Sequence, residues 1–137
     1  MAAYLFMPVN WTISHPERLV IAVAEGTVAL QEIERYLDGV VTSNALSYRK
    51  IFDVTEMVVH PPDEYMMMLA ARIRAYPAFG RFGALAIVAP GDRSRWMARL
   101  YTELAEVDRP IKIFRNREAA RKWLDAQPGV DPPPDPQ

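Results

Sequence analysis

The chain has no cysteine among its 137 residues, which excludes disulfides, thiolate nucleophiles and cysteine metal sites. It has only two histidines, His15 and His60, and each precedes a proline in a predicted turn. Neither stands in a spacing that ligates a metal ion, so both are expected to be solvated loop residues. There is also no Gly-x-Ser-x-Gly elbow for a nucleophilic serine. We therefore predict no catalytic residue, no metal site and no cofactor.

An excess of charge and a long hydrophobic run are lacking as well. The 16 basic and 17 acidic side chains leave a net charge of −1, which gives no long-range attraction for nucleic acid. No stretch approaches the roughly 18 apolar residues of a membrane span, and residues 1–8 lack the basic segment of a signal peptide. These absences favour a cytoplasmic protein and leave only peripheral contact with a membrane open.

What the sequence does contain is the hydrophobic content of one domain, since half of its residues are hydrophobic. Residues 9–13 alternate apolar and polar side chains, as in a half-buried strand, and residues 19–24 are almost continuously apolar. A one-sided strand joined by a short turn to an apolar one predicts an antiparallel edge strand beside a central strand. Thr27 is predicted to cap the helix that follows.

Alternating strands and helices follow to residue 124. Further strands are predicted at 49–54, 84–89 and 111–114, and Asp92 and Asn116 are predicted helix N-caps. The buried stripes of the helices are predicted to be Leu30, Ile33, Leu37 and Val40 or Val41, then Met66, Leu69, Ala70 and Ile73, then Met97, Leu100, Tyr101 and Leu104, and finally Ala120, Trp123 and Leu124.

This pattern predicts an α/β fold in the order ββαβαβαβα. Its sheet is mixed and mainly parallel, with five strands and an antiparallel N-terminal edge strand. We assign residues 1–127 to a single domain. Residues 128–137 include five prolines and show no apolar periodicity, so they are expected to form a disordered proline-rich tail.

With this order of elements, the chain resembles the STAS-like (SpoIIAA-like) families of small bacterial α/β domains. The resemblance covers about residues 9–124 and rests on three stretches. Residues 48–55 resemble the family's strand ending in Asp-x-Ser/Thr, and residues 83–90 resemble its next strand and turn. Residues 114–124 match the ending F-x-x-x-x-x-A-x-x-W-L. The resemblance implies a non-catalytic regulatory domain, and other members of the wider group bind small apolar ligands or associate with membranes.

Anti-sigma antagonists in this group switch by phosphorylation of a serine, in an Asp-Ser-Ser-Gly segment that follows the Asp-x-Ser strand. Counted from Asp53, the corresponding segment here is Pro61-Pro62-Asp63-Glu64. The acceptor serine is missing, so the resemblance implies no phospho-switch at that position.

Polar side chains at the predicted carboxyl ends of the strands form a first candidate ligand site, because open parallel sheets bind ligands there. These candidate residues are Asp53, Thr55, Asp92, Arg93, Ser94 and Arg115. Several of them also fit ordinary helix caps, which is the alternative to a ligand site. Asp53 is more simply an acceptor for backbone N–H groups, since receiver-type phosphoryl transfer would also need an acidic pair and a lysine at neighbouring strand ends.

The run Met66-Met67-Met68 indicates a second candidate site. A helix has room to bury one or two of three consecutive side chains. The excess, with Tyr65 before it and Tyr76 and Phe79 after it, is predicted to line an apolar pocket or a self-association surface. Plain core packing is the alternative for these residues. Arg93, Arg95 and Arg99 likewise form either a solvated face or a surface for anionic groups.

These observations support one leading hypothesis and two alternatives. The leading hypothesis is a non-catalytic STAS-like domain that binds a partner protein, or a small apolar or anionic ligand, in a regulatory role. The first alternative is a small enzyme or phosphoryl-transfer component acting at the strand ends, for which the sequence offers no matched nucleophile and base. The second is a homodimer that pairs through the edge strand at residues 9–13.

Overall fold

A computed structural model of the protein describes residues 8–59, 62–75, 81–105 and 109–127. His60, Pro61, Tyr76, Phe79 and the proline-rich tail lie outside the described residues. In the described part, strands and helices follow in the predicted order ββαβαβαβα. They are β1 Val9–Ser14, β2 Leu19–Thr27, α1 Leu30–Thr42, β3 Arg49–Val59, α2 Asp63–Ala75, β4 Leu85–Val88, α3 Asp92–Ala105, β5 Ile111–Phe114 and α4 Arg117–Asp125.

The five strands form one sheet in the order β1-β2-β3-β4-β5. β1 runs antiparallel to β2 and lies at the edge of the sheet, whereas the other neighbouring pairs are parallel. This confirms the predicted fold class. Because each new strand is added on the same side of the last, right-handed connections place α1, α2 and α3 on one face of the sheet. The final helix, α4, packs on the opposite face.

The two faces of the sheet have separate cores, set by the alternation of side chains along β3 and β4. Phe52, Val54, Leu85 and Ile87 face the layer of three helices. Their sequence neighbours, including Ile51, Ala86 and Val88, pack instead against Ala120 and Leu124 of α4. β4 is buried along its whole length, which explains its unbroken apolar sequence.

Two strands are longer than the sequence predicts. β2 continues to Thr27 and β3 to Val59, so the predicted ends at residues 24 and 54 are wrong. The pairing of β2 with β3 persists through two register shifts, and Gly26 takes the left-handed conformation (φ 63°) that glycine adopts readily. Thr27 therefore belongs to a strand and does not cap α1, whose N-cap is Ala29 without a side-chain hydrogen bond.

The buried faces of the helices agree better with the prediction than the strand ends do. All four predicted residues of α2 are buried, whereas in α1 the buried residues include Tyr36, which was not predicted. The Asn116 cap is confirmed, because its side chain accepts a hydrogen bond from the N–H of Ala119 at 2.8 Å. Asp92 lies in the first turn of α3 rather than before it. The side chain of Leu104 lies outside the described part.

Candidate functional site

A cavity of about 100 Å³ lies between the sheet and the layer of α1, α2 and α3. Phe52, Val54, Leu85 and Ile87 contribute its sheet side. The helical lining residues are Ile33, Tyr36, Leu37, Val40, Met66, Leu69, Ile73, Ser94, Met97, Ala98 and Tyr101, and further lining comes from Leu46, Lys50, Met57, Phe82 and Arg109. An engineered apolar cavity of about 150 Å³ is known to bind benzene, so this cavity suits a compact apolar group.

Methionine gives the cavity wall its capacity to adapt. Met57 lies in the C-terminal part of β3, and Met66 and Met97 contribute from α2 and α3. Unbranched thioether side chains change rotamer at little cost and fill irregular space. The cavity can therefore change shape around a guest of somewhat different outline.

One end of the cavity is polar, and Lys50 belongs to it. The Lys50 residue is only 5% exposed, and its Nζ donates hydrogen bonds to the carbonyl oxygens of Leu46 and, at 2.7 Å, Tyr48. Burial lowers the pKa of Lys50 well below its ordinary value, and the nearby positive charge of Arg109 lowers it further. Sequence analysis missed this residue, because a lysine near the start of a strand usually reaches solvent.

Gly83 allows a close approach between two chain segments at this end of the cavity. Its N–H donates to the carbonyl oxygen of Leu46 at 3.1 Å. A Cβ atom at position 83 would lie 2.1 Å from the carbonyl oxygen of Tyr48, so only glycine fits against that turn. The close approach presents the two carbonyl groups that Lys50 binds.

Arg109 is the second cationic side chain at the polar end. Its Nη2 donates to the hydroxyl of Tyr101 at 3.0 Å, and its Nη1 donates to the carbonyl oxygen of Gly83 at 3.3 Å. The guanidinium also stacks on Phe82, with its Cζ 4.8 Å from the ring centroid. The remaining donor, Nε, is buried and has no hydrogen-bond partner among the described residues.

Tyr36 adds a phenolic hydroxyl to the same environment. Burial raises the pKa of Tyr36; Arg109 acts against this rise, and Tyr101 adds to it. Among the described residues that line the cavity, none is an aspartate or a glutamate. The polar end thus combines two cationic side chains and two phenols without a carboxylate to balance their charge.

Asp53, the first predicted strand-end residue, faces the other side of the sheet. It lies inside β3 rather than at its end, and its Oδ1 accepts hydrogen bonds from the N–H of Thr55 at 2.9 Å and from the Thr55 hydroxyl. Its Oδ2 accepts from Nη2 of Arg117 at 2.8 Å and from Nε at 3.1 Å. Asp53 is thus an acceptor for a backbone N–H group, as expected, and it also ties β3 to the first turn of α4.

Opposing effects act on the pKa of Asp53. Burial alone would raise it, but the hydrogen bonds from Thr55 and the ion pair with Arg117 together hold it below its ordinary value. Sequence analysis missed Arg117 because 64 positions separate it from Asp53 and no local pattern links them.

The other predicted strand-end residues do not come together at one place. Thr55 and Arg93 are exposed, while Ser94 is buried, lines the cavity and donates its hydroxyl to the carbonyl oxygen of Gly91 at 2.9 Å. Asp92 and Arg115 line a shallow surface cleft. Its other lining residues are Arg95, Trp96 and Arg99.

The methionine run divides between core and surface. Met66 is buried and lines the cavity, whereas Met67 and Met68 are 60% and 56% exposed and are not among the lining residues. Tyr65 is half-buried and is also absent from the lining. Met67 and Met68 are therefore placed for a role on the surface of α2.

The described ranges contain neither a cluster of metal ligands nor a membrane-spanning helix. No three His, Asp or Glu side chains there are grouped so that they could hold a metal ion. No helix in the same ranges is long and apolar enough to cross a membrane.

A sheet covered by three helices around an apolar cavity, with one helix on the opposite face, defines a small α/β domain. A family model for SpoIIAA-like proteins matches residues 19–125, so the chain belongs to the SpoIIAA-like family. This confirms the resemblance noted in the sequence. No curated protein and no solved structure gives a match to the chain. Domains of this family are typically regulatory, bind partner proteins and are generally non-catalytic.

Proposed function

We propose that the protein is a non-catalytic regulatory domain that binds a small apolar ligand in the cavity beneath α1, α2 and α3. The cavity itself carries this proposal, because protein interiors are normally close-packed and an apolar void forfeits packing contacts along its lining. A ligand that fills the void restores those contacts. The few convergent polar groups at one end would fix the orientation of the ligand.

The effect of ligand binding would be transmitted to the protein surface through α2 and α3. Each helix turns one methionine into the cavity, Met66 and Met97, and presents large exposed side chains on its outer face: Met67 and Met68 on α2, and Trp96 on α3. A ligand that shifts or rigidifies the inner side chains therefore changes the outer face of the same helices. A ligand regulates through such a link when it binds one arrangement of the helices more tightly than another.

The test is a search for a bound small molecule by native mass spectrometry of protein purified from its own cells. Ala98 is buried and lines the cavity, so Ala98→Leu should fill the space and remove the bound mass. Ala71→Leu makes the same change at an exposed position of α2 and should retain it. A bound mass that survives Ala98→Leu would place the ligand elsewhere and contradict the proposal.

A second function, docking of a partner protein, is favoured by the cleft around Trp96. Trp96 is 60% exposed, and Arg95, Arg99 and Arg115 line the cleft with it. None of these three arginines has an ion pair or a hydrogen bond to its side chain within the part of the chain that is described. Tryptophan and arginine are the residues most enriched at the energetic centres of protein interfaces. The three arginines outnumber Asp92, the acidic residue that also lines the cleft, and this excess of positive charge favours an acidic segment of the partner.

A matched pair of charge reversals on α3 tests this docking surface. Arg99→Glu changes a residue of the cleft, whereas Arg93→Glu makes the same change at an exposed residue outside it. Cross-linked complexes from native cells should lose a partner with Arg99→Glu and keep it with Arg93→Glu. Equal loss from both variants would indicate a general charge effect and no defined surface.

A further inference from the structure

The polar end of the cavity has an excess of positive charge that the described residues do not balance. Lys50 and Arg109 both line the cavity, and Arg109 is close enough to lower the pKa of the Lys50 ammonium. Asp53, the one buried carboxylate among the described residues, is paired with Arg117 on the α4 side of the sheet. Buried cations are normally paired with an anion, because an unpaired charge in an apolar interior is costly.

The hydrogen bonds of Arg109 are also incomplete. Its two terminal nitrogens each donate to an oxygen, of Tyr101 and of Gly83, but Nε is buried without an acceptor in the described part of the chain. A buried donor without a partner costs free energy, more so when it is charged. An acceptor that enters the cavity would remove that cost.

From these two observations we propose that the ligand is a small amphiphilic monocarboxylate, with its carboxylate at Arg109 and Lys50 and its apolar part among the methionines. The proposal rests on the cavity being a ligand site, as set out above. A carboxylate supplies the missing negative charge and an acceptor for Nε, in the planar geometry that matches a guanidinium. The hydroxyls of Tyr36 and Tyr101 are the other donors at this end.

Arrival of the anion also changes protonation at this end. Among the described groups, the charge that acts on the pKa of Lys50 is that of Arg109, which is positive and lowers this pKa. A carboxylate beside Lys50 stabilises the ammonium form and raises its pKa. Binding should therefore take up protons between the pKa of Lys50 in the empty protein and the higher pKa in the complex.

The methionine methyl groups offer a direct readout. Three of the seven methionines, Met57, Met66 and Met97, line the cavity, and Met67 and Met68 on the outer surface serve as internal references. Protein labelled with ¹³C at the methionine methyls is titrated with hexanoate and, separately, with 1-hexanol at neutral pH. Both probes should shift the three cavity methyls and leave the two references in place. Hexanoate should bind at least about tenfold more tightly.

Variants then identify the source of the preference. Arg109→Met keeps much of the apolar stem but removes the charge, so it should weaken hexanoate about tenfold and change 1-hexanol less than about twofold. Arg99→Met, on the exposed face of α3, is the matched control and should change neither. The comparison of the two probes on the unaltered protein stands whether or not Arg109→Met folds.

Each other outcome overturns a different statement. If 1-hexanol binds as tightly as hexanoate, the carboxylate proposal fails and apolar ligand binding in the cavity stands. If hexanoate shifts only Met67 and Met68, it binds outside the cavity and the proposal fails. If neither probe shifts the cavity methyls up to its solubility, the proposed ligand site fails as well.

Discussion

At the scale of single residues, the two buried charges of β3 define the difference between the faces of the sheet. Lys50 points into the cavity and Asp53 points toward α4, because side chains three positions apart in a strand lie on opposite faces. Asp53 has a complete set of partners within the described chain. Within the ranges that the structure describes, Lys50 donates hydrogen bonds only to carbonyl oxygens and has no anion beside it. The first charge therefore suits a structural role, and the second suits a ligand.

Replacing Asp53 tests the structural role. Asp53→Asn removes the ion pair with Arg117 and should lower the free energy of unfolding by about 1–2 kcal/mol at pH 7. The pKa of Asp53 is lowered in the folded protein, so its charge stabilises the fold above the unfolded pKa of about 3.9. That contribution is lost as the pH falls through the lower, folded value. Urea unfolding at pH 7 and at pH 3 should show the difference between mutant and wild type shrinking in acid.

Removing the partner in Arg117→Met provides the control for this prediction. The Arg117 side chain is about half exposed, so its removal should cost less than the loss of the buried carboxylate. It should still reduce the pH dependence, because the pKa of Asp53 then rises toward its ordinary value. A pH profile of Asp53→Asn that stays parallel to wild type would show that this carboxylate contributes nothing through its charge.

Lys50 should produce a pH dependence of the same sign, but in the alkaline range. Its pKa is lowered by burial and by Arg109, so in the window between its folded pKa and about 10.4 the unfolded chain binds more protons than the fold. Wild-type stability should therefore gain relative to Lys50→Met as the pH rises from 7 toward 10. Urea midpoints along that series measure the gain. The exposed Lys112→Met is the control and should follow wild type.

At the scale of elements, long-range pairing overrides local sequence. Residues 25–27 include glycine and polar side chains, so the sequence predicts that the strand ends before them. In the structure β2 continues through them beside the extended β3. The free energy of forming this ladder depends on a partner strand about 30 residues away, which local patterns do not reveal. In contrast, the inner face of α2 follows from spacing alone, since residues 66, 69, 70 and 73 must share one side of a helix.

The outer face of α2 gives a prediction for that element. Met67 and Met68 are exposed, so replacing both with glutamine removes apolar surface but no core contact. The double variant should change the melting temperature by less than about 2 °C. It should reduce self-association or partner binding, which light scattering and cross-linking report. Met66→Gln, which buries an amide in the cavity wall, should instead destabilise the fold by about 2 kcal/mol or more. Unfolding of the Met67 and Met68 double variant would assign both residues to the core.

At the scale of the whole molecule, the topology was predictable and the cavity was not. Short links and alternating strand and helix patterns restrict the sheet to few arrangements, and right-handed connections select among them. The presence and shape of the cavity, however, depend on how three separate helices pack on the sheet. Its polar end joins Lys50, Gly83 and Arg109, which come from distant parts of the chain. Residues so far apart in sequence show no recognisable spacing. The rule that parallel sheets bind ligands at the carboxyl ends of their strands pointed instead to residues that the structure places at separate positions.

The last prediction concerns the boundary of the domain and its independence of metal. Just after α4, the N–H groups of Ala126 and Gln127 donate to the carbonyl oxygens of Trp123 and Leu124, so the helix end is hydrogen-bonded before residue 128. Truncation after Gln127 should therefore change the melting temperature by less than about 3 °C, and so should treatment with a chelator. Truncation after Lys122 is the control. It removes Leu124, which is fully buried beneath the sheet, and should cost about 3 kcal/mol or more. A large loss of stability from the first truncation, measured by calorimetry, would extend the folding unit past residue 127, and a large loss on chelation would reveal a structural metal.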